Sequence, residues 1–171
     1  PKEDLNLIQN IDFANVATAF ASGTGDFVQL FEPTASVFEK EGKGYIVASF
    51  GTESGHLPYT VYMAKESYLK EDKETVEKFT KALKKAQDWV QENDAAEIAK
   101  VIQPYFEDTN IETMETVINR YKEQGSFATD PILDKEEWNN LQNIMDEAGE
   151  LPSRISHDEL VNTDFAEEVT K

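Results

Sequence analysis

The chain has 171 residues, 39% hydrophobic and 11% aromatic, a globular composition with enough material for one domain and its core. Thirty-four Asp and Glu against 16 Lys and Arg give a net charge of −18, a field that repels phosphate backbones and anionic lipid surfaces and so argues against nucleic acid as a partner. The absence of cysteine removes disulfides, thiol nucleophiles and Cys-based metal centres. In chain order, "DLNLIQN" (4–10) reads as a short strand with Leu5 and Leu7 facing inward. Asp12 stands where it can cap a helix in which Phe13, Val16, Ala17 and Phe20 recur at helical spacing, closed by Gly23 to Gly25. "DFVQLFE" (26–32) is the next predicted strand, and Pro33 then occupies a first-turn helix position, where its missing N–H costs nothing. That helix runs over 33–41 to Gly42 and Gly44, and "YIVASF" (45–50) is a third strand. A polar connection, 51–60, leads to a further strand, "YTVYMA" (59–64).

From Asp72 onward the pattern is helical. Val76, Phe79, Leu83, Ala86 and Trp89/Val90 share one face of a long helix, with Lys and Glu opposite. Ile98, Val101, Ile102 and Tyr105 mark a second helix, and Ile111, Met114, Val117/Ile118 and Tyr121 a third, capped by Asn110 and closed by Gly125. Trp138, Leu141, Ile144/Met145 and Ala148 mark a fourth, closed by Gly149, and Ser156 with Glu159 has capping-box spacing. The apolar stripes read as core, and the helices share no repeat. The first third, strand–helix–strand–helix–strand with tight links, predicts parallel pairing in an α/β layer. Three strands are too few to cover both faces, and the chain opens with Pro1 rather than Met, so it reads as a piece of a larger fold.

No motif for chemistry is present. "SGTGD" lacks the spacing of a dinucleotide loop, there is no nucleophile elbow, and His56 and His157 have no ligand-spaced partner, so neither a metal nor a catalytic residue is expected. Two acidic stretches lack the alternating oxygen ligands and central Gly of a calcium loop. What remains is geometry: open α/β sheets bind ligands beyond the carboxyl ends of their strands. Asn10 with Asp12, Phe31 with Glu32, and Gly51 with Thr52 and Ser54 fall on that rim, a mixture of aromatic, carboxylate, amide and hydroxyl suited to a small polar molecule. Glu32 reads equally well as a ligand carboxylate for a cation or N–H donor and as a first-turn acid favoured by the helix dipole.

"AFASGTGDFVQLFEPTASVFEKEGKGYIVASF" resembles the second lobe of bacterial solute-binding proteins of the nitrate/sulfonate/thiamine-pyrimidine group, where an Asp is followed by Glu-Pro and then by Gly and a strand. "LPYTVYMAKESYLKEDKETVEKFTKALKKAQDWVQEN" resembles that group's return strand and following helix, and 120–151 its C-terminal helices. The resemblance implies a partial type II periplasmic-binding-protein fold of class α/β. Residues 1–58 would finish lobe two, 59–64 would cross the hinge, and 65–171 would be the helical end of lobe one. It further implies capture of a nutrient outside the cytoplasm, in the periplasm or on a lipoprotein anchor, and delivery to an ABC permease without chemistry or cofactor. Glu32 alone sits at a landmark of the group; Phe31, Asn10, Thr52, Ser54 and Tyr59 are added by position. The lack of Lys or Arg near this rim before Lys40 favours a pyrimidine-type ligand over a sulfonate or nitrate. Related pyrimidine-synthesising enzymes use iron and a substrate histidine with a Cys-rich segment, which this chain lacks, and a ligand-free helical interaction domain is the remaining alternative. Exposed sheet edges would be covered by a second copy if nothing else covers them.

Overall fold

The computed structural model describes residues 4–171, and among them every regular element is a helix. In chain order these are α1 (Val16–Ala21, preceded by a 3-10 turn at Phe13–Asn15), α2 (Thr34–Lys40), α3 (Phe50–Glu53), α4 (Glu66–Glu71) and α5 (Lys73–Glu92). They continue with α6 (Ala95–Ile102), α7 (Ile111–Glu123), α8 (Lys135–Ala148), α9 (His157–Leu160) and α10 (Asp164–Thr170).

Helices α6, α7 and α8 begin where their capping residues stand. Asp94, Asn110 and Asp134 each accept, through a side-chain oxygen, the backbone N–H three residues on, at 2.9, 2.9 and 2.8 Å. Gly149, at φ 76°, ends α8 in the left-handed region that glycine enters without a Cβ penalty. The expected capping box of Ser156 and Glu159 does not form. Residues 161–163 instead break that stretch into α9 and α10, where Thr163 donates to Glu167 at 2.7 Å.

The core lies between α6 and α7. Ala95, Ile98, Ala99, Met114 and Ile118 are buried together, with Trp89, Val90, Ile102, Ile111 and Phe127 packed around them. α10 lies along α5 and buries Ala166. The end of α5 is secured by Lys122 of α7, whose ammonium donates to the carbonyls of Val90, at 2.8 Å, and Asn93. These are carbonyls at the helix end, which lack intrahelical partners. Behind α8, Gln142 grips residue 155 from both sides: its Oε1 accepts the Ile155 N–H at 2.9 Å and its Nε2 donates to the Ile155 carbonyl at 3.1 Å.

The predicted strands are the main departure. Residues 5–10, 26–31, 45–49 and 59–64 run without helix, yet no ladder joins them, so the described residues contain no sheet. The α/β class is therefore seen here only as helices and unpaired extended segments. The physical reason lies on their surfaces: Leu5, Leu7, Phe27, Tyr45, Val47, Val61, Tyr62 and Met63 are all exposed, with Met63 at 91%. A strand exists only when a neighbouring backbone about 4.8 Å away takes its hydrogen bonds, and nothing within these residues supplies one. The β-like alternation stands without a pairing partner among the described residues. What order there is comes from side chains: the ring of Phe20 lies so close to Gly44 that an added Cβ would sit 3.3 Å from it, which pins the 42–46 turn to α1.

Candidate functional site

The Glu32-Pro33 seam turns out to be the polar centre of the N-terminal third. Glu32 Oε2 accepts the Ser36 backbone N–H at 2.9 Å and Oε1 accepts the Ser36 hydroxyl at 3.0 Å. The carboxylate thus caps the first turn of α2, the helix-start reading of this acid. It also forms an ion pair with Arg120 of α7. The guanidinium donates on to Ser36 Oγ at 2.7 Å and to Glu39 Oε2 at 3.1 Å, and Glu39 Oε1 accepts the Ile46 N–H at 3.2 Å. Only 6% of the Glu32 side chain is exposed, against 22% for Arg120. Two carboxylates therefore share one guanidinium, Glu32 almost wholly buried and Glu39 partly in solvent, and α2, the 45–47 segment and α7 are held by one network.

Beside this network runs an aromatic row. The rings of Phe13 and Phe31 lie 5.8 Å apart at 54°, and those of Phe31 and Tyr59 lie 5.4 Å apart at 48°. Phe13 and Tyr59 are about three-quarters exposed, whereas Phe31 is 36% exposed, so the row offers π faces to solvent over a half-buried centre. Tyr121, next to Arg120, packs edge-on against Phe127 at 5.9 Å. Burial pushes its hydroxyl above the ordinary tyrosine value of 10.0, while a hydrogen bond with the Glu32 backbone pulls the other way. A raised folded pKa contributes stability in full below the unfolded value, and that stability is lost as pH rises through the folded value. Tyr121→Phe should therefore flatten the alkaline fall in stability above roughly pH 10. Urea midpoints measured from pH 9 upward check this, and a variant that loses stability as steeply as the parent would refute it.

The six residues expected at the rim do not all meet. Phe31, Glu32 and Tyr59 come together, and Phe13 joins them. Thr52 lies in α3, with its N–H directed to Ser49 Oγ at 3.4 Å. Ser54 lies instead against α8: Asn140 donates to the carbonyls of Ser54 and His56 at 3.0 and 2.8 Å, and Ser54, His56, Lys135, Asn139 and Asn143 line a polar groove of about 720 Å³. Asn10 is exposed and has no hydrogen-bond partner among the described residues. No three His, Asp or Glu side chains among the described residues converge as metal ligands would.

Arg120 and Tyr121 went unread as site residues. Tyr121 looked like one more member of the α7 apolar stripe, and Arg120 lies 88 residues from its partner. One signal was available: the chain has 14 lysines and only two arginines, and arginine is the residue suited to bridging two carboxylates from a buried position.

Compared with known proteins, residues 2–97 match the family described as NMT1/THI5 like, more than half of the chain. The chain belongs to the NMT1/THI5-like family. Over 170 residues it is 58% identical to "Putative binding protein YtlA" of Bacillus subtilis (strain 168), an alignment that takes in 99% of this chain and 51% of that protein. The chain thus spans about half the length of the curated relative it matches. No solved structure matches it. The family match takes in Phe13, Phe31, Glu32 and Tyr59 and stops in α6, so Arg120 and Tyr121 lie beyond it.

Proposed function

We propose that this chain forms one part of a two-lobed solute-binding protein that captures a small planar nutrient outside the cytoplasm and delivers it to an ABC permease, without chemistry on the ligand. The observation that carries this reading is the Phe13–Phe31–Tyr59 row, an exposed stacking surface beside the Glu32–Arg120–Glu39 polar centre, in a member of the NMT1/THI5-like family. Stacked rings hold flat heterocycles of many kinds, and neighbouring polar atoms choose among them. The two carboxylates around Arg120 make a poor neighbour for a nitrate or sulfonate, which favours a pyrimidine-type ring. No helix among the described residues is long and apolar enough to cross a membrane, and export or anchoring belongs to the proposal.

The unpaired extended segments support the same reading. Their apolar side chains are those of sheet strands, and a chain half as long as its relative has the other half available to complete them. In the proposed arrangement 1–58 ends one lobe, 59–64 crosses between lobes and 65–171 packs on the other. The ligand then shifts an open–closed equilibrium by making its better contacts in the closed form.

The test is calorimetric titration of the full-length protein carrying this chain with an aminopyrimidine, ethanesulfonate and nitrate. Tyr59→Ala should weaken aminopyrimidine binding about ten-fold, the loss of one stacked ring at roughly 1.4 kcal/mol. Unaltered affinity in that variant would remove the aromatic row from the site, and turnover of the ligand would overturn the transport reading.

A further inference from the structure

Within that reading, we propose that Arg120, outside the family-matched segment, sets the charge preference of the site. By engaging Glu32 it withholds that carboxylate from the ligand, so the aromatic row selects an uncharged planar ring over its cationic counterpart. A chain with net charge −18 attracts cations everywhere by default, and an exposed aromatic row adds to this, since π faces bind cations. A free carboxylate one residue from Phe31 would complete a cation site. Glu32 is not free: its oxygens are taken by Ser36 and by the guanidinium. The cation that Glu32 calls for is already present as part of α7, and the same guanidinium also engages the more exposed Glu39 at 3.1 Å. Arg120 is a specificity-determining residue that touches Glu32 rather than the ligand, and the proposal rests on the aromatic row being the platform.

The experiment compares two probes on the full-length protein at one pH and ionic strength: 4-aminopyrimidine and its ring-N-methylated pyrimidinium cation. The wild type is expected to bind the neutral ring the more tightly. In Arg120→Gln the ratio of the two affinities should move at least ten-fold toward the cation. The conservative Arg120→Lys should keep the wild-type order, and Glu32→Gln/Arg120→Gln, which removes the released carboxylate as well, should restore it. A purely structural role for Arg120 would weaken both probes together and leave the ratio unchanged, which overturns the proposal. So does a double variant that prefers the cation as Arg120→Gln does. If Arg120→Gln does not fold, as judged by circular dichroism, Glu32→Gln reads the same coupling with opposite sign: the ratio should move further toward the neutral ring, and no movement refutes the idea. Failure of the platform itself is distinguishable, because then neither probe binds the wild type.

Discussion

Replacing Ile98 with alanine should lower the unfolding free energy by about 3 kcal/mol, within the range for large-to-small changes in a packed core. Ile98 is 3% exposed and sits where α6 meets α7, against Ala99, Met114 and Ile118. Three lost carbon atoms remove roughly 0.8 kcal/mol each in transfer free energy, and the remainder comes from a cavity that two crossed helices cannot collapse. The effect is large because the alternatives are few: most other large apolar side chains are half-buried or exposed, so this contact carries a disproportionate share of a stability that is only about 5–15 kcal/mol in ordinary domains. Urea unfolding followed by circular dichroism measures it. A loss under about 1 kcal/mol would show that α6 and α7 are not the centre of the cooperative unit.

Glu32→Ala should cost a similar amount, about 3 kcal/mol, for a different reason. The deleted carboxylate leaves Arg120 with Glu39 as its only charged partner among the described residues, the Ser36 hydroxyl without its acceptor, and the first turn of α2 without its cap. A buried ion pair often adds little over a well-packed apolar pair, but removing one partner strands the other. The surface pair Lys78–Glu74 gives the contrast, since it is exposed on both sides and such pairs contribute under about 1 kcal/mol. The two kinds separate with salt. Raising NaCl to about 0.5 M should erase the cost of Lys78→Ala and leave most of that of Glu32→Ala, because screening acts on solvated charges and far less on buried ones. Equal sensitivity of the two variants to salt would show that the Glu32–Arg120 contact is as wet as a surface pair.

The helical two-thirds of the molecule was legible because its signals are local. Asn110, Asp134 and Gly149 mark helix ends within a few residues of the stripes they terminate, and α7 and α8 start or stop where those signals stand. The extended third was legible only as propensity. Residues 26–31 and 45–49 alternate as strands do, but a strand is a relation between two backbones, and the second backbone is not among these residues. The site divides the same way. The capping role of Glu32 is visible from Pro33 and the helix that follows, and the gathering of Phe31 with Tyr59 follows from placing both at one rim. That the acid is held from α7 could not be read as a pairing, since residues 32 and 120 come together only through tertiary packing; the scarcity of arginine marks Arg120 but not its partner. Thr52 and Ser54 were placed at the rim by a sheet edge that this stretch does not form, and Ser54 lies on the α8 side instead.

Arg120 and Lys122 stand two positions apart on α7, and at about 100° per residue they leave the helix on nearly opposite sides. One grasps the Glu32–Ser36–Glu39 corner and the other the last carbonyls of α5. The helix is therefore a crossbar bolted at both flanks, and rolling it to loosen one bolt strains the other. Held on both flanks in this way, α2, α7 and the tail of α5 travel as a single rigid plate.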